Sequence, residues 1–253
     1  MKSYLRFLSR NKLYTAIEVV GLSVALAFVL IIGSYVWQEY SISRENPDYE
    51  RIYIPTQSMP YGIFEPMKEQ IPEIEKITLV NSFDDVVMEC DDERLVTRGL
   101  AVRGDFFDIF DYEFLIGDAG CLESYTDIVI SESYAAKLAR KPELAVGMKI
   151  VPVDYPSQAY TVTGIIKDFD HNYWKYMDFI CKGESPLNDS AQKNPIFTLS
   201  ATAFIKVAES ADVDALGGKI QEIFRQLWGE KLNTAMIDQF TVNLGIERFD
   251  KLY

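Results

Sequence analysis

His171 is the only histidine in the chain, and Asp168 and Asp170 stand close beside it, so imidazole and carboxylate donors crowd one short stretch where a divalent cation could sit. Two acidic pairs, Asp84-Asp85 and Asp91-Asp92, offer calcium a similar set of oxygens. Neither set has the spacing or the pinning glycine of an EF-hand loop, and acidic turns on an acidic protein are ordinarily solvated. A Ser-His-Asp or Cys-His nucleophile could be built only around His171, and no G-x-S-x-G sequence accompanies it. Gly217-Gly218-Lys219 lacks the upstream glycine of a phosphate-binding loop, and Ile220 stands where a Ser or Thr would meet magnesium. Cys90, Cys121 and Cys181 are odd in number, widely spaced and without a C-x-x-C pair. That pattern is neither a disulfide framework nor a zinc site, and leaves one bridge or three buried thiols. These residues assign no catalytic, cofactor-binding or metal site, and the chain is expected not to be an enzyme.

Charge narrows the partners. The chain has 25 basic and 38 acidic residues, a formal net charge of −13. Lys2, Arg6, Arg10 and Lys12 all precede the first acid, Glu18, so the part after residue 38 carries a net of about −16. Such a surface repels a phosphodiester backbone, which argues against nucleic acid.

The elements that must carry these residues begin with a membrane span. From Val19 to Gln38 no residue is charged. A run of ~20 residues rising ~1.5 Å each matches the ~30 Å hydrocarbon core, and basic residues on one side only place that side in the cytoplasm. Residues 1–15 are therefore expected to form a basic amphipathic cytoplasmic segment and 16–38 a transmembrane helix of the bacterial inner membrane, with all that follows outside the cytoplasm. A cleaved signal peptide has a shorter apolar region ending in small residues, whereas Tyr35, Val36, Trp37 and Gln38 close this run and Ala25-Leu26-Ala27 lies in mid-span. Lys2, Arg6 and Arg10 fall one helical turn apart with Tyr4, Phe7 and Leu8 across from them, which suits an interfacial helix or an ordinary basic flank. Gly21 and Ala25 make a small-xxx-small pair, which Gly33 would extend, so the span is expected to pack against other helices.

The remainder is long and apolar enough to bury a sizeable core, expected as two lobes of mixed α/β structure. Arg51–Gln57 reads as a strand, Phe64–Ile71 as a short helix ended by Pro72, and Lys76–Ser82, Val86–Cys90 and Arg94–Val102 as strands, with Asp91-Asp92 as a hairpin turn. Asp127–Ile130 reads as a buried strand followed by a helix capped by Ser131. Met148–Val153 and Tyr160–Lys167 pair as strands, with Tyr160, Val162 and Ile166 sharing one face. Asn172–Asn194 lacks period and reads as a loop. Phe197–Val207 is a strand. Asp212–Trp228 is a helix with a continuous apolar stripe of Val213, Leu216, Ile220, Ile223, Phe224 and Leu227, ended by Gly229, and Gln239–Gly245 closes as a strand. Two βαβ-like units thus flank an insertion.

Several stretches carry a family resemblance: Arg51-Ile52-Tyr53, Gly104-Asp105-Phe106-Phe107 with Phe110, Phe114-Leu115 with Gly117-Asp118, Ile128 to Ser133 with Ala135, Lys137 and Leu138, and Val162-Thr163-Gly164-Ile165 with Lys167-Asp168-Phe169. In this order, over residues 1 to about 170, they resemble the periplasmic core domain of MacB-like, FtsX-type ABC transporter permeases. The resemblance implies a split Porter-like lobe at 39–103 and 195–253, with a Sabre-like lobe inserted at 104–194. It implies coupling of ATP hydrolysis by a separate cytoplasmic ABC ATPase to movement of the periplasmic lobes, in export or mechanotransmission. Implied partners are that ATPase, further transmembrane helices or a second permease copy, and a periplasmic adaptor or outer-membrane partner. Glu45-Asn46-Pro47 and Ala145-Val146-Gly147 depart from the family's Phe-Asn and Pro-x-Gly. The family places more transmembrane helices after this domain, so the chain is expected to be the N-terminal portion of a longer permease. A single-pass sensor or binding module would share the anchor and the acidic domain, but normally needs a cytoplasmic output domain larger than residues 1–15.

Overall fold

In the computed structural model, which describes residues 12–41, 48–168, 174, 176–183, 200–229 and 244–249, the organising feature is a long hairpin. Strand β3 (Ile74–Cys90) turns through Asp91 and Asp92 into β4 (Glu93–Gly104), with Cys90 opposite Glu93. Both aspartates take positive φ, 47° and 67°, as a two-residue hairpin turn with the strands' right-handed twist requires. The expected strands Lys76–Ser82 and Val86–Cys90 are one strand. The polar pair Asp84-Asp85 between Phe83 and Val86 forms a bulge, with Asp85 at φ 56°, that leaves the ladder intact on both sides.

The chain divides into an N-terminal helical unit and a sheet-rich unit, Ser43–Leu252. The first is described through α1 (Lys12–Ser41). In the second, β1 (Ile52–Pro55), β2 (Met59–Pro60) and α2 (Phe64–Gln70) precede the hairpin. After it come α3 (Phe106–Ile109), β5 (Phe114–Ile116), β6 (Asp127–Ser131), α4 (Glu132–Leu138), β7 (Lys149–Pro152), β8 (Tyr160–Ile166) and β9 (Phe179–Lys182). The described elements end with β10 (Ser200–Val207), α5 (Val213–Trp228) and β11 (Ile246–Arg248). The sheet order is β11-β1-β10-β3-β4-β9-β6-β8-β5, with β2 on β10 and β7 bridging β3 and β8. Most pairs are antiparallel; β4–β9 and β6–β8 are parallel.

Three cores follow from strand alternation. On one face Ile77, Leu79, Ala203 and Ile205 lie beneath α2 and α5. The α5 stripe is as expected: Leu216, Ile220, Ile223 and Phe224 are buried, Val213 and Leu227 pack at its margin, and Trp228 adds to it. Asp212 caps this helix, its Oδ1 accepting from Ala215 N at 3.3 Å. The opposite face carries Val80, Leu100, Val102 and Phe204, and the third core joins Ile128, Ile130 and Val162 to Tyr134 and Ala135 of α4.

Two expectations are corrected. The stretch Asn172–Asn194 contains β9, a strand inserted between β4 and β6. Its Phe179, Ile180 and Cys181 are buried on both faces, so no alternation betrayed it. In β8, Tyr160 and Val162 face one core and Ile166 the other. The register slips at Thr163, opposite the Ile128–Val129 step, and this extra residue inverts the phase that regular alternation would give. Residues 239–243 of the expected closing strand lie outside the described residues; its last two, Leu244 and Gly245, are not in a strand, and β11 begins just after them at Ile246 and pairs with β1.

Candidate functional site

The small residues of α1 lie on an unbroken helix, whose stretch Lys12–Trp37 is long and apolar enough to cross a membrane. Gly21 and Ala25, one turn apart, occupy one exposed face. Gly33 lies twelve residues beyond Gly21, about 120° round the helix at ~3.6 residues per turn, so it flanks that face instead of prolonging it. Within the helix Ser23 Oγ donates to Val19 O at 2.7 Å and Ser34 Oγ to Ile31 O at 2.9 Å. Both hydroxyls are thus satisfied internally, as hydrocarbon demands. Lys12 opens the helix and is exposed. Lys2, Arg6 and Arg10 lie outside the described residues.

In the sheet-rich unit the motif residues act as joints. Arg51 reaches Asp48 Oδ1 at 2.7 Å and Glu75 Oε2 at 2.9 Å, and Asp48 Oδ2 accepts from Lys206 Nζ at 2.5 Å. This network fastens the start of the unit to β3 and β10. The hydrogen bonds from Lys206 and then Arg51 hold the Asp48 carboxyl below the usual aspartate range. Gly104 ends β4 at φ 88°, where a Cβ would lie 2.5 Å from the Phe64 ring. The following Asp105 accepts from Ile77 N at 3.2 Å and pairs with Lys68 at 3.1 Å. Phe106 and Phe110 then enter an aromatic cluster with Tyr112, Trp174 and Phe204, ring centroids 4.7–5.4 Å apart. Ser131 caps α4 by accepting from Tyr134 N at 3.2 Å, and Asp168 Oδ1 accepts from Ser133 N at 2.9 Å.

The candidate metal and phosphate groups have other partners or other places. Asp168 is engaged with Ser133, and Asp170 and His171 lie outside the described residues. The acids at 84, 85, 91 and 92 are exposed and shape the bulge and the turn. Among the described residues no three His, Cys, Asp or Glu side chains converge as metal ligands. Gly217-Gly218-Lys219 lies inside α5, where Lys219 pairs with Glu73, rather than at a strand-to-helix turn. All three cysteines are free thiols: Cys90 and Cys181 are buried and Cys121 is half-buried. Burial pushes the Cys181 thiol up to about 11, which keeps it protonated and inert.

The sequence model of the MacB-like periplasmic core domain matches residues 15–223. A crystallised domain of a Porphyromonas gingivalis protein described as a permease has 18% identity and a TM-score of 0.61, covering 79% of this chain and 89% of its own. The periplasmic region of MacB from Actinobacillus actinomycetemcomitans has 13% identity and a TM-score of 0.50, covering 80% of this chain and 90% of its own. At those identities the likeness speaks for the fold. No curated protein sequence matches the chain. With the family matched over most of its length and an apolar helix ahead of its sheet-rich unit, the chain belongs to the MacB-like periplasmic core domain family of ABC-type permeases.

Proposed function

We propose that this chain supplies the first transmembrane helix and the extracytoplasmic core of an inner-membrane ABC permease. It hydrolyses nothing itself, and couples ATP hydrolysis by a cytoplasmic ATPase to movement of the exported domain. The observation that most supports this reading is that the family match begins at residue 15, inside α1, and runs on to residue 223, so anchor and domain belong to one family unit. In this reading Lys2, Arg6, Arg10 and Lys12 lie at the cytoplasmic face. Residues 39–103 and 195–253 form the Porter-like lobe, and 104–194 the Sabre-like lobe. Gly21 and Ala25, flanked by Gly33, admit a neighbouring helix of the permease or of a second copy. A periplasmic adaptor or outer-membrane partner would receive the movement.

The test is a reconstituted complex of the full permease and its ATPase. Gly21→Leu or Ala25→Leu should uncouple ATP hydrolysis from the periplasmic output while sparing nucleotide binding. Normal coupling in both variants refutes the helix contact, and cytoplasmic behaviour of reporters fused after Gln38 refutes the topology.

A further inference from the structure

Glu18 is the one acidic residue inside the apolar stretch Lys12–Trp37. Tyr14 and Trp37 stand 23 residues apart on α1, ~35 Å at ~1.5 Å per residue, which suits two aromatic belts bracketing a ~30 Å hydrocarbon core. Glu18 lies one turn inward of Tyr14, ~6 Å along the axis, so its carboxylate stands inside the cytoplasmic edge of that core. An acid at such a depth is costly unless a cation meets it. α1 does not supply that cation. The residues one turn to either side of Glu18 are Tyr14, Thr15, Gly21 and Leu22. Lys12, the only cation from 12 to 41, is ~9 Å down the axis and about 120° round it, on a different face.

The face that Glu18 occupies allows close approach. At ~100° per residue Gly21 and Ala25 fall within about 60° of it, and all three are exposed. From Glu18 the same side continues through Leu22, Ala25, Val29 and Ile32 at steps of 4, 3, 4 and 3 residues, the spacing of a helix-packing seam with one charged position at its cytoplasmic end. A single charge in a seam selects the helix that can lie against it. A second copy of α1 does not qualify. Parallel two-fold pairing through this face sets Glu18 against Glu18, and like charges repel strongly where the dielectric is low.

We infer that the face of Glu18, Gly21 and Ala25 seats a transmembrane helix other than α1, one that carries a Lys or Arg about a turn inside its own cytoplasmic end, and that this cation pairs with Glu18. Gly21 and Ala25 bring the two backbones together, and the ion pair fixes which helix fits and at what depth. The inference rests on the reading of α1 as a membrane span in a permease, and requires neither nucleotide nor ATPase.

The test is photocrosslinking of the full permease in its native membranes, with benzoylphenylalanine in place of Leu22, one turn from Glu18 on the same side, and mapping of the joined peptide by mass spectrometry. The expected partner is an apolar peptide other than α1 with a Lys or Arg near its cytoplasmic end. Glu18→Lys should lower the yield about tenfold, and exchanging the mapped cation for Glu in that variant should restore it. If Glu18→Lys does not insert, Glu18→Gln, expected to lower the yield severalfold, decides alone. Crosslinks to α1 of a second copy, to a helix without a basic residue or to lipid alone, or a yield indifferent to the Glu18 variants, overturn the inference. Release of the chain from the membranes by alkaline carbonate refutes the span, and the inference with it.

Discussion

Asp168 and Ser133 are 35 residues apart in sequence, yet the Asp168 carboxylate accepts the Ser133 backbone amide at 2.9 Å and so completes the first turn of α4. Two of the motifs that carry the family resemblance therefore meet as one joint between the end of β8 and the start of α4. Asp168→Ala should lower the domain's stability by about 1 kcal/mol, the usual worth of a side-chain cap. Asp168→Asn, which keeps an acceptor, should lose less. Thermal melting of the two variants checks the order.

Leu216 and Ile223 are 2% and 3% exposed on the inner face of α5. Leu216→Asp or Ile223→Asp should cost several kcal/mol, since each sets an unpaired carboxylate where an apolar group is buried. Denaturant unfolding reads the loss, and unchanged midpoints for both would show that the stripe packs on something other than its own sheet.

The α5 stripe was legible because a helix on one sheet face must repeat its apolar residues every three to four positions, and nothing interrupts that period between Val213 and Trp228. The Asp91-Asp92 turn was legible for a similarly local reason. β9 was not, because three of its residues, Phe179, Ile180 and Cys181, buried on both faces, show no alternation, and their partners on β4 and β6 lie far away in sequence. The phase reversal in β8 escaped for a related cause: Thr163 becomes a bulge only through its pairing with β6. At the anchor, the charge-free span was plain from composition alone, whereas the placing of Gly33 off the Gly21–Ala25 face needed the helical wheel.

The Asp48 network gives the stability a defined acid dependence. The hydrogen bonds from Lys206 and Arg51 lower the folded-state pKa of Asp48 below its ordinary 3.8. Its contribution is therefore complete above the unfolded value and is lost as pH falls through the folded one. Melting measured from about pH 6 down to about pH 2 should decline, and Asp48→Asn should be less stable at neutral pH and decline less steeply. Parallel profiles for the two proteins would show that the carboxylate is not what links the start of the domain to β10.

Movement of the exported domain in response to a nucleotide it does not bind is tested most directly by hydrogen–deuterium exchange on the complex isolated from its native membranes. With ATP and vanadate added, amide protection within residues 43–252 should change, while the purified chain without its ATPase shows neither nucleotide binding nor any change in exchange. Identical exchange with and without nucleotide in the complex, or ATP hydrolysis by the purified chain alone, would contradict the account.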